Sequence, residues 1–447
     1  LILALVLAAG AGFLSETVFL ETMSSRVILV AAPITVLTAA VSAFRGFFNG
    51  NGFGPLVAWS QYIEKTVMLI AGIVSGKLYY GYGRKVAALL KNDMPAYANG
   101  AFGVMIGIMI AELITLIYLS AAYALSYGSW KRQQMQDAGR RTESSGEIVG
   151  MLFGNGLPMV LVVLLSNSFM MIDQRFFNYC MNRKEMGDVR TAIWGSYYGK
   201  YAVLAGIGAA FACLAVHGSI GKIAASYDKE EYRLMRERIG TAVKKVCVTA
   251  FPAAVMLAVL AESFVTGLYK GESEQAVLVL RQGTIVIFFY GIAYLFCQLM
   301  LKMRMLKELL FCLAVSFAVH ILAVLLFVRN GLLGAEGIAY SVILFTGVLA
   351  VMGFVLVSRR VSYKQEWIYS FAFPAAAAAV SGLAAMLLNR LLFALVGAIP
   401  TLLISCLVGT VLYMILVVLL HVVNESELSE MPFGGIWIAV GRLLGVL

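Results

Sequence analysis

The sequence predicts an all-α, polytopic membrane protein, and two observations carry that prediction. Of the 447 residues, 61% are hydrophobic and only 13% are charged, about half the charged share of a soluble domain. Apolar runs of about 20 residues, long enough to cross the hydrocarbon core as a helix, recur from end to end. A β-barrel is excluded, because its strands alternate apolar and polar residues and give no such runs. The net charge of +10 is read as Lys- and Arg-rich cytoplasmic loops, so no nucleic-acid partner is expected. The six cysteines (Cys180, Cys213, Cys247, Cys297, Cys312, Cys406) form no C-x-x-C pair, and most lie in apolar runs. Neither a disulfide framework nor a zinc site is indicated, and no cofactor is expected.

Twelve spans are expected, at 2–21, 27–48, 55–76, 102–126, 149–172, 196–220, 243–263, 281–301, 308–328, 337–357, 369–389 and 396–421. Loops after even-numbered spans, together with the tail, hold the larger share of Lys and Arg, which places them and the C-terminus in the cytoplasm. Within the basic loop Gly221–Lys245, YDKEEYRLMRERIGTAVKK reads as an amphipathic helix running into the next span. The polar loop Ser129–Glu147 divides the chain into unequal halves. After Val422 the tail is acidic, then turns at 432–435 and ends in a short apolar helix expected to lie on the membrane. Pro158 and Pro252 are expected to interrupt helices and kink them. The chain begins at Leu1, already inside an apolar run and without a signal-peptide charge pattern.

Chemistry concentrates in Val41–Ile73, VSAFRGFFNGNGFGPLVAWSQYIEKTVMLIAGI. A glycine-rich turn follows Arg45-Gly46-Phe47-Phe48-Asn49-Gly50, and Pro55 opens a new helix, where its missing N–H is harmless. Ser60 and Glu64, and likewise Gln61 and Lys65, are spaced i,i+4, so each pair lies along one side of that helix. Charges inside hydrocarbon cost at least a few kcal/mol unless they face protein or water. The other ionisable residues within or at the edge of spans are Glu112, Asp173, Lys200, Glu262 and His320. Each has an ordinary reading beside a functional one. Arg45 sits where it could snorkel to lipid headgroups, Glu112 could serve packing, and a lone histidine is usually a satisfied core residue.

The stretch resembles the bacterial polysaccharide transporter and stage V sporulation protein B group. That group lies in the superfamily holding the MurJ lipid II flippases and the multidrug and toxin extrusion transporters. Arg45, Gly46, Phe48, Gly50, Pro55, Ser60, Gln61 and Glu64 carry the resemblance. Asn49 stands where Gln is usual, Lys65 where Gln is common and Met68 where a basic residue is common. The tail Ser426-Glu427-Leu428-Ser429-Glu430-Met431-Pro432-Phe433-Gly434 extends it. The resemblance implies two helical bundles around a central cavity, with about 12 of an expected 14 helices seen and the first two preceding Leu1. It assigns 1–126 to the remainder of the N-terminal bundle and 127–148 to a cytoplasmic linker. The second bundle is then 149–357, an extra helix pair 358–421 and a cytoplasmic tail 422–447. With the family in mind, Cys297–Val328 echoes Ser42–Ile73 as two spans joined by a basic turn.

The implied function is a flippase of the bacterial cytoplasmic membrane that moves a lipid-linked oligosaccharide or peptidoglycan precursor by alternating access. Its partners would be that lipid-linked glycan, membrane lipids and a possible coupling cation. Arg45, Ser60, Gln61, Glu64, Lys65, Glu112 and Asp173 are the expected lining of the path. In related lipid II flippases the region of Asp173 contributes to a cation site. The Asn and Asp that would join it are not evident in Phe311–Val328, where Ser316 and His320 stand at similar heights, so no metal site is assigned. A cation-drug antiporter of the same superfamily is the alternative; it would call for an acidic cavity, and the core charges here are mixed. A membrane enzyme would need convergent acids or a metal motif, and no D-x-D, carboxylate pair or nucleotide loop occurs, so no enzyme activity is expected.

Overall fold

The computed structural model describes residues 1–136, 144–183, 187–269, 274–329, 334–429, 434–443 and 445, and among these the regular structure is helical throughout. Two compact units divide the chain, Leu1–Ile148 and Val149–Leu447. Nine helices among the described residues are long and apolar enough to cross a membrane, or ten if one pair bent by 48° counts as a single span. The protein is thus a multi-pass, all-α membrane protein, with fewer qualifying spans than the twelve expected. Two expected spans fall short for different reasons. The first apolar helix is brief, Ile2–Val18. The third is long, but Glu64, Lys65, Lys77 and a run of glycines and tyrosines dilute it.

The first unit holds α1 (Ile2–Phe13), α2 (Ser25–Gly50), α3 (Gly54–Leu90) and α4 (Met94–Gln136). The turn between α2 and α3 takes three residues. Its middle residue, Gly52, has φ +80°, a conformation that favours glycine, and Pro55 sits in the first turn of α3 as expected. Phe44, Phe47, Phe48 and Phe53 from this turn pack edge-on with one another and with Tyr123 and Trp130 of α4. The aromatic positions of the motif therefore fix the turn against α4.

Helices α3 and α4 pair along a seam of small residues. A Cβ at Gly107 would lie 2.5 Å from the backbone of Gly72, one at Gly103 2.5 Å from the Ser75 carbonyl, and one at Gly83 2.7 Å from that of Pro95. Small residues let helix backbones approach this closely in membranes, where contact and polar bonds replace the hydrophobic effect. The Ser75 hydroxyl adds such a bond to the Gly103 carbonyl at 2.7 Å. Because α4 runs on to Gln136, the first part of the expected linker is helix. Positions 137–143 lie outside the described residues. At the start of α5 (Ser145–Asn167) the Ser144 N–H donates to Glu147, and the Glu147 N–H to the Ser144 hydroxyl, a reciprocal cap.

The second unit continues with α6 (Phe169–Arg183), α7 (Gly187–Ser196), α8 (Ala202–Asp228), α9 (Tyr232–Val259) and α10 (Ala261–Leu268). After these come α11 (Glu274–Gly283), α12 (Val286–Lys302), α13 (Leu306–Val324) and α14 (Ala335–Val361). The last four are α15 (Phe373–Val396), α16 (Ala398–Leu419), α17 (Glu425–Ser429) and α18 (Gly434–Leu443). One large apolar core draws on α6 through α14. The bent pair is α11 with α12. Wider π-helical turns occupy Tyr197–Tyr201 and Leu325–Arg329.

Two expectations are corrected here. The basic loop at 221–245 shrinks to the three residues between α8 and α9, because both helices extend through it; its amphipathic sequence does run into the span, burying Met235, Ile239 and Ala242. Pro158 and Pro252 lie inside continuous helices. In hydrocarbon the remaining backbone bonds are too costly to give up. The terminal apolar helix α18 packs on α16, with Trp437 and Ile438 against a small core around Tyr413, Val417 and Leu428. Part of the expected tail turn, 430–433, lies outside the described residues. The α12–α13 turn also takes three residues with a positive φ in the middle, at Arg304 (φ 59°).

Candidate functional site

Three helices of the first unit build a charge cluster. Arg45, near the end of α2, reaches across the turn to α3. Its Nε donates to Ser60 Oγ at 2.9 Å, and a terminal nitrogen donates to Glu64 Oε2 at 2.7 Å. Ser60 and Glu64 stand one helical turn apart on one side of α3, so one guanidinium fork bridges both. The other Glu64 oxygen accepts from Lys65 Nζ at 2.6 Å, and the Ser60 hydroxyl donates on to the Val57 carbonyl at 2.7 Å. Burial falls off across the cluster. The Glu64 side chain is 8% exposed, that of Arg45 19% and that of Lys65 67%.

Glu112 brings α4 into the cluster. Thr38 of α2 stands beside its carboxylate, and Glu64, Arg45 and Lys65 are near enough to act on its charge. Its Oε2 is buried without a partner. Of the expected residues, Arg45, Ser60, Glu64, Lys65 and Glu112 therefore come together. Gln61 does not: it is exposed on α3, and among the described residues no hydrogen bond joins it to the others. Arg45, which the sequence left open to snorkelling, commits two donors to α3. Thr38 was not foreseen. Its signal was present, two helical turns before Arg45 and hence on the same side of α2.

Asp173 belongs to the second unit and forms a separate assembly. Its Oδ1 lies 2.7 Å from Nε2 of His320 on α13, and neither side chain is exposed at all. The rings of Phe169 and Phe345 stand edge-on to the imidazole at 5.6 and 5.9 Å. Ser316 and His320 are spaced i,i+4 on α13 and so share one of its sides, and the packing of α6 on α13 makes His320 a partner for Asp173. The remaining ionisable residues have modest surroundings. Lys200 lies over the ring of Tyr269. Glu262 pairs with Arg281 at 3.3 Å beside a cleft of about 450 Å³ that Ser263 and Asn389 also line. A larger polar cleft of about 820 Å³ lies at the other end of α9, where Lys244 and Glu427 pair at 2.8 Å. Among the described residues no group of three or more His, Cys, Asp or Glu side chains could hold a metal.

Compared by sequence, the chain matches no described protein family and no curated protein. Compared by structure, it is similar to a lipid II flippase MurJ in an inward closed conformation. The TM-score is 0.57 at 14% identity, over 93% of this chain and 80% of that one. At so low an identity the likeness is one of fold, and the chain has the helical membrane fold seen in that flippase.

Proposed function

We propose that the protein is a flippase that carries a lipid-linked oligosaccharide or peptidoglycan precursor across the bacterial cytoplasmic membrane by alternating access. The direction would be from the inner to the outer leaflet. The similar fold belongs to a protein described as moving lipid II, but the reading rests first on the cluster around Arg45. Lys65 stands about 16 Å into α3 at 1.5 Å per residue, within the expected span 55–76. Its side chain is nevertheless 67% exposed within its unit. An ammonium inside a span faces lipid only at a cost of several kcal/mol, which supports reading this side of α3 as facing water. A wet face that presents the Lys65 ammonium suits the pyrophosphate of such a headgroup, because it replaces part of the hydration the phosphate loses. The lipid tail stays in the bilayer, no covalent bond changes, and the protein acts as a transporter and not as an enzyme.

The test is outward movement of a labelled lipid-linked precursor in cells or proteoliposomes with matched protein levels. Wild type should move it, and Arg45→Ala should reduce the rate to near background. Equal rates with and without the protein would overturn the reading. Orientation is tested separately. A single cysteine at Lys229 should be shielded from an impermeant thiol reagent on intact cells, since that turn is assigned to the cytoplasm. A second reading, a cation-drug antiporter, draws on Glu112, whose buried second oxygen has no partner. Lower accumulation of a cationic dye in cells that make the protein, lost in Glu112→Gln, would favour it.

A further inference from the structure

The assembly in the second unit has a charge problem that only a proton can solve. Asp173 and His320 are 147 positions apart in sequence and meet at 2.7 Å with no exposure. Three polar atoms there have no hydrogen-bond partner: Asp173 Oδ2, His320 Nδ1 and Ser316 Oγ. The groups acting on the pair come from each neighbouring element. The π-helical turn after α7 presents the phenols of Tyr197 and Tyr198, and α14 presents the Ser341 backbone and Phe345. On α6 Phe169 covers the imidazole, and α13 adds Ser316. With the imidazole protonated, carboxylate and imidazolium form a neutral pair. Loss of one proton leaves a net negative charge in an enclosed apolar setting, which costs several kcal/mol. The enclosed arrangement is therefore stable with the proton and must open to water to release it.

We propose that Asp173 and His320 form a proton-binding site, and that the ion exchanged there is H⁺. A metal cation fits poorly. The imidazole already occupies one carboxylate oxygen, and the side-chain oxygens left without a partner there are Oδ2 and the Ser316 hydroxyl, whereas hard cations take about six or more oxygens. Both π-helical turns of this region, Tyr197–Tyr201 and Leu325–Arg329, lie beside α6 or its partners. Such turns mark places where a helix is locally loosened, often at functional sites. They are where the enclosure can part. Proton binding stands on this geometry alone; its use to drive transport rests on the flippase reading.

The test uses the whole chain in lipid nanodiscs with ¹⁵N-labelled histidine. His217 and His421 are exposed, and the His320 signal is identified by its loss in His320→Gln. Between about pH 5 and pH 9, where imidazoles titrate, the His320 signal should change between doubly and singly protonated forms. Replacing choline by sodium at equal ionic strength should leave it unmoved. In Asp173→Asn the carboxylate that holds the second proton is gone, and the signal should stay singly protonated throughout. A wild-type imidazole that keeps one charge state over the whole range, or one that sodium shifts, would overturn the proposal, and both readouts are made on the wild-type protein once the signal is assigned. In proteoliposomes a pH gradient should speed precursor movement, and Asp173→Asn should lose that dependence entirely. Wild-type transport indifferent to the gradient would overturn the driving role, whereas no transport at all would count against the flippase reading and leave the imidazole result standing.

Discussion

In the first unit Arg45, Ser60, Glu64, Lys65 and Glu112 hold several charges of both signs, and exposure rises from 8% at Glu64 to 67% at Lys65. In the second unit Asp173 and His320 hold a single acid and a single base with none. An open network shares its charges with water, so removing one member shifts the rest by increments. An enclosed pair has no such reserve, and removing one member leaves the other stranded. The first arrangement suits a large, variable, polar cargo. The second suits a ligand that is either present or absent.

The sharpest way to break this contrast is to remove one partner of the enclosed pair. His320→Leu leaves the Asp173 carboxylate among Phe169, Phe345 and Tyr197, and should cost about 3–5 kcal/mol of stability. His320→Leu with Asp173→Leu should recover most of that, since matched apolar replacement of a buried pair is often neutral. Thermal unfolding of the purified protein checks both. A single variant as stable as wild type would mean that the pair is not enclosed.

The next effect concerns what holds the open network in place. Glu112 and Glu64 ride on α4 and α3, whose seam is backbone against backbone. A Cβ at Gly107 would meet Gly72 at 2.5 Å, with no flexible side chain to yield. Gly107→Leu should cost about 1–3 kcal/mol by overpacking and pull Glu112 out of the cluster, lowering transport with it. Gly46→Ala, where nothing lies within 4 Å of the added carbon, should leave both unchanged. If the two glycine variants behave alike in unfolding and transport assays, the seam does not position the cluster.

A comparable effect separates the two cations of the network. Arg45 makes two directed bonds, to Ser60 and Glu64, which a lysine cannot reproduce with one point charge. Arg45→Lys should cost about 1.5–3 kcal/mol in the charged hydrogen bond it loses and lower transport roughly tenfold, a change the labelled-precursor assay resolves.

Much of this was legible in the sequence, and the part that was not has a common cause. The helical membrane class follows from composition and run length. The α2–α3 turn follows from its glycines and Pro55, and the shared side of Ser60 and Glu64 follows from their spacing. Each of these depends on neighbours along the chain. The meeting of Asp173 with His320, the approach of Thr38 to Glu112 and the pairing of Lys244 with Glu427 join distant segments. No periodicity reports them. The short loop between α8 and α9 was missed for a related reason: charged residues that read as a loop are the exposed sides of two helices whose buried sides are apolar.

The smallest predicted effect concerns which charge Glu64 compensates. By sequence, Lys65 is its neighbour, and Glu64→Gln should be relieved by adding Lys65→Gln. The geometry says otherwise. The cation that Glu64 shields from apolar surroundings is Arg45, 19% exposed, whereas Lys65 stands largely in the open. Removing Lys65 thus deletes an ion pair whose cation is largely exposed, worth about 1 kcal/mol or less, and Lys65→Gln alone should lower stability by no more than that. Glu64→Gln should destabilise by more, because the guanidinium keeps only Ser60 and a neutral amide. Adding Lys65→Gln should not relieve it, since the uncompensated charge is elsewhere; adding Arg45→Gln should. The check is the unfolding midpoint of all four variants, with transport measured alongside. Relief by Lys65→Gln, and not by Arg45→Gln, would place the decisive contact at Lys65 and make the open end of the network the one that bears its energy.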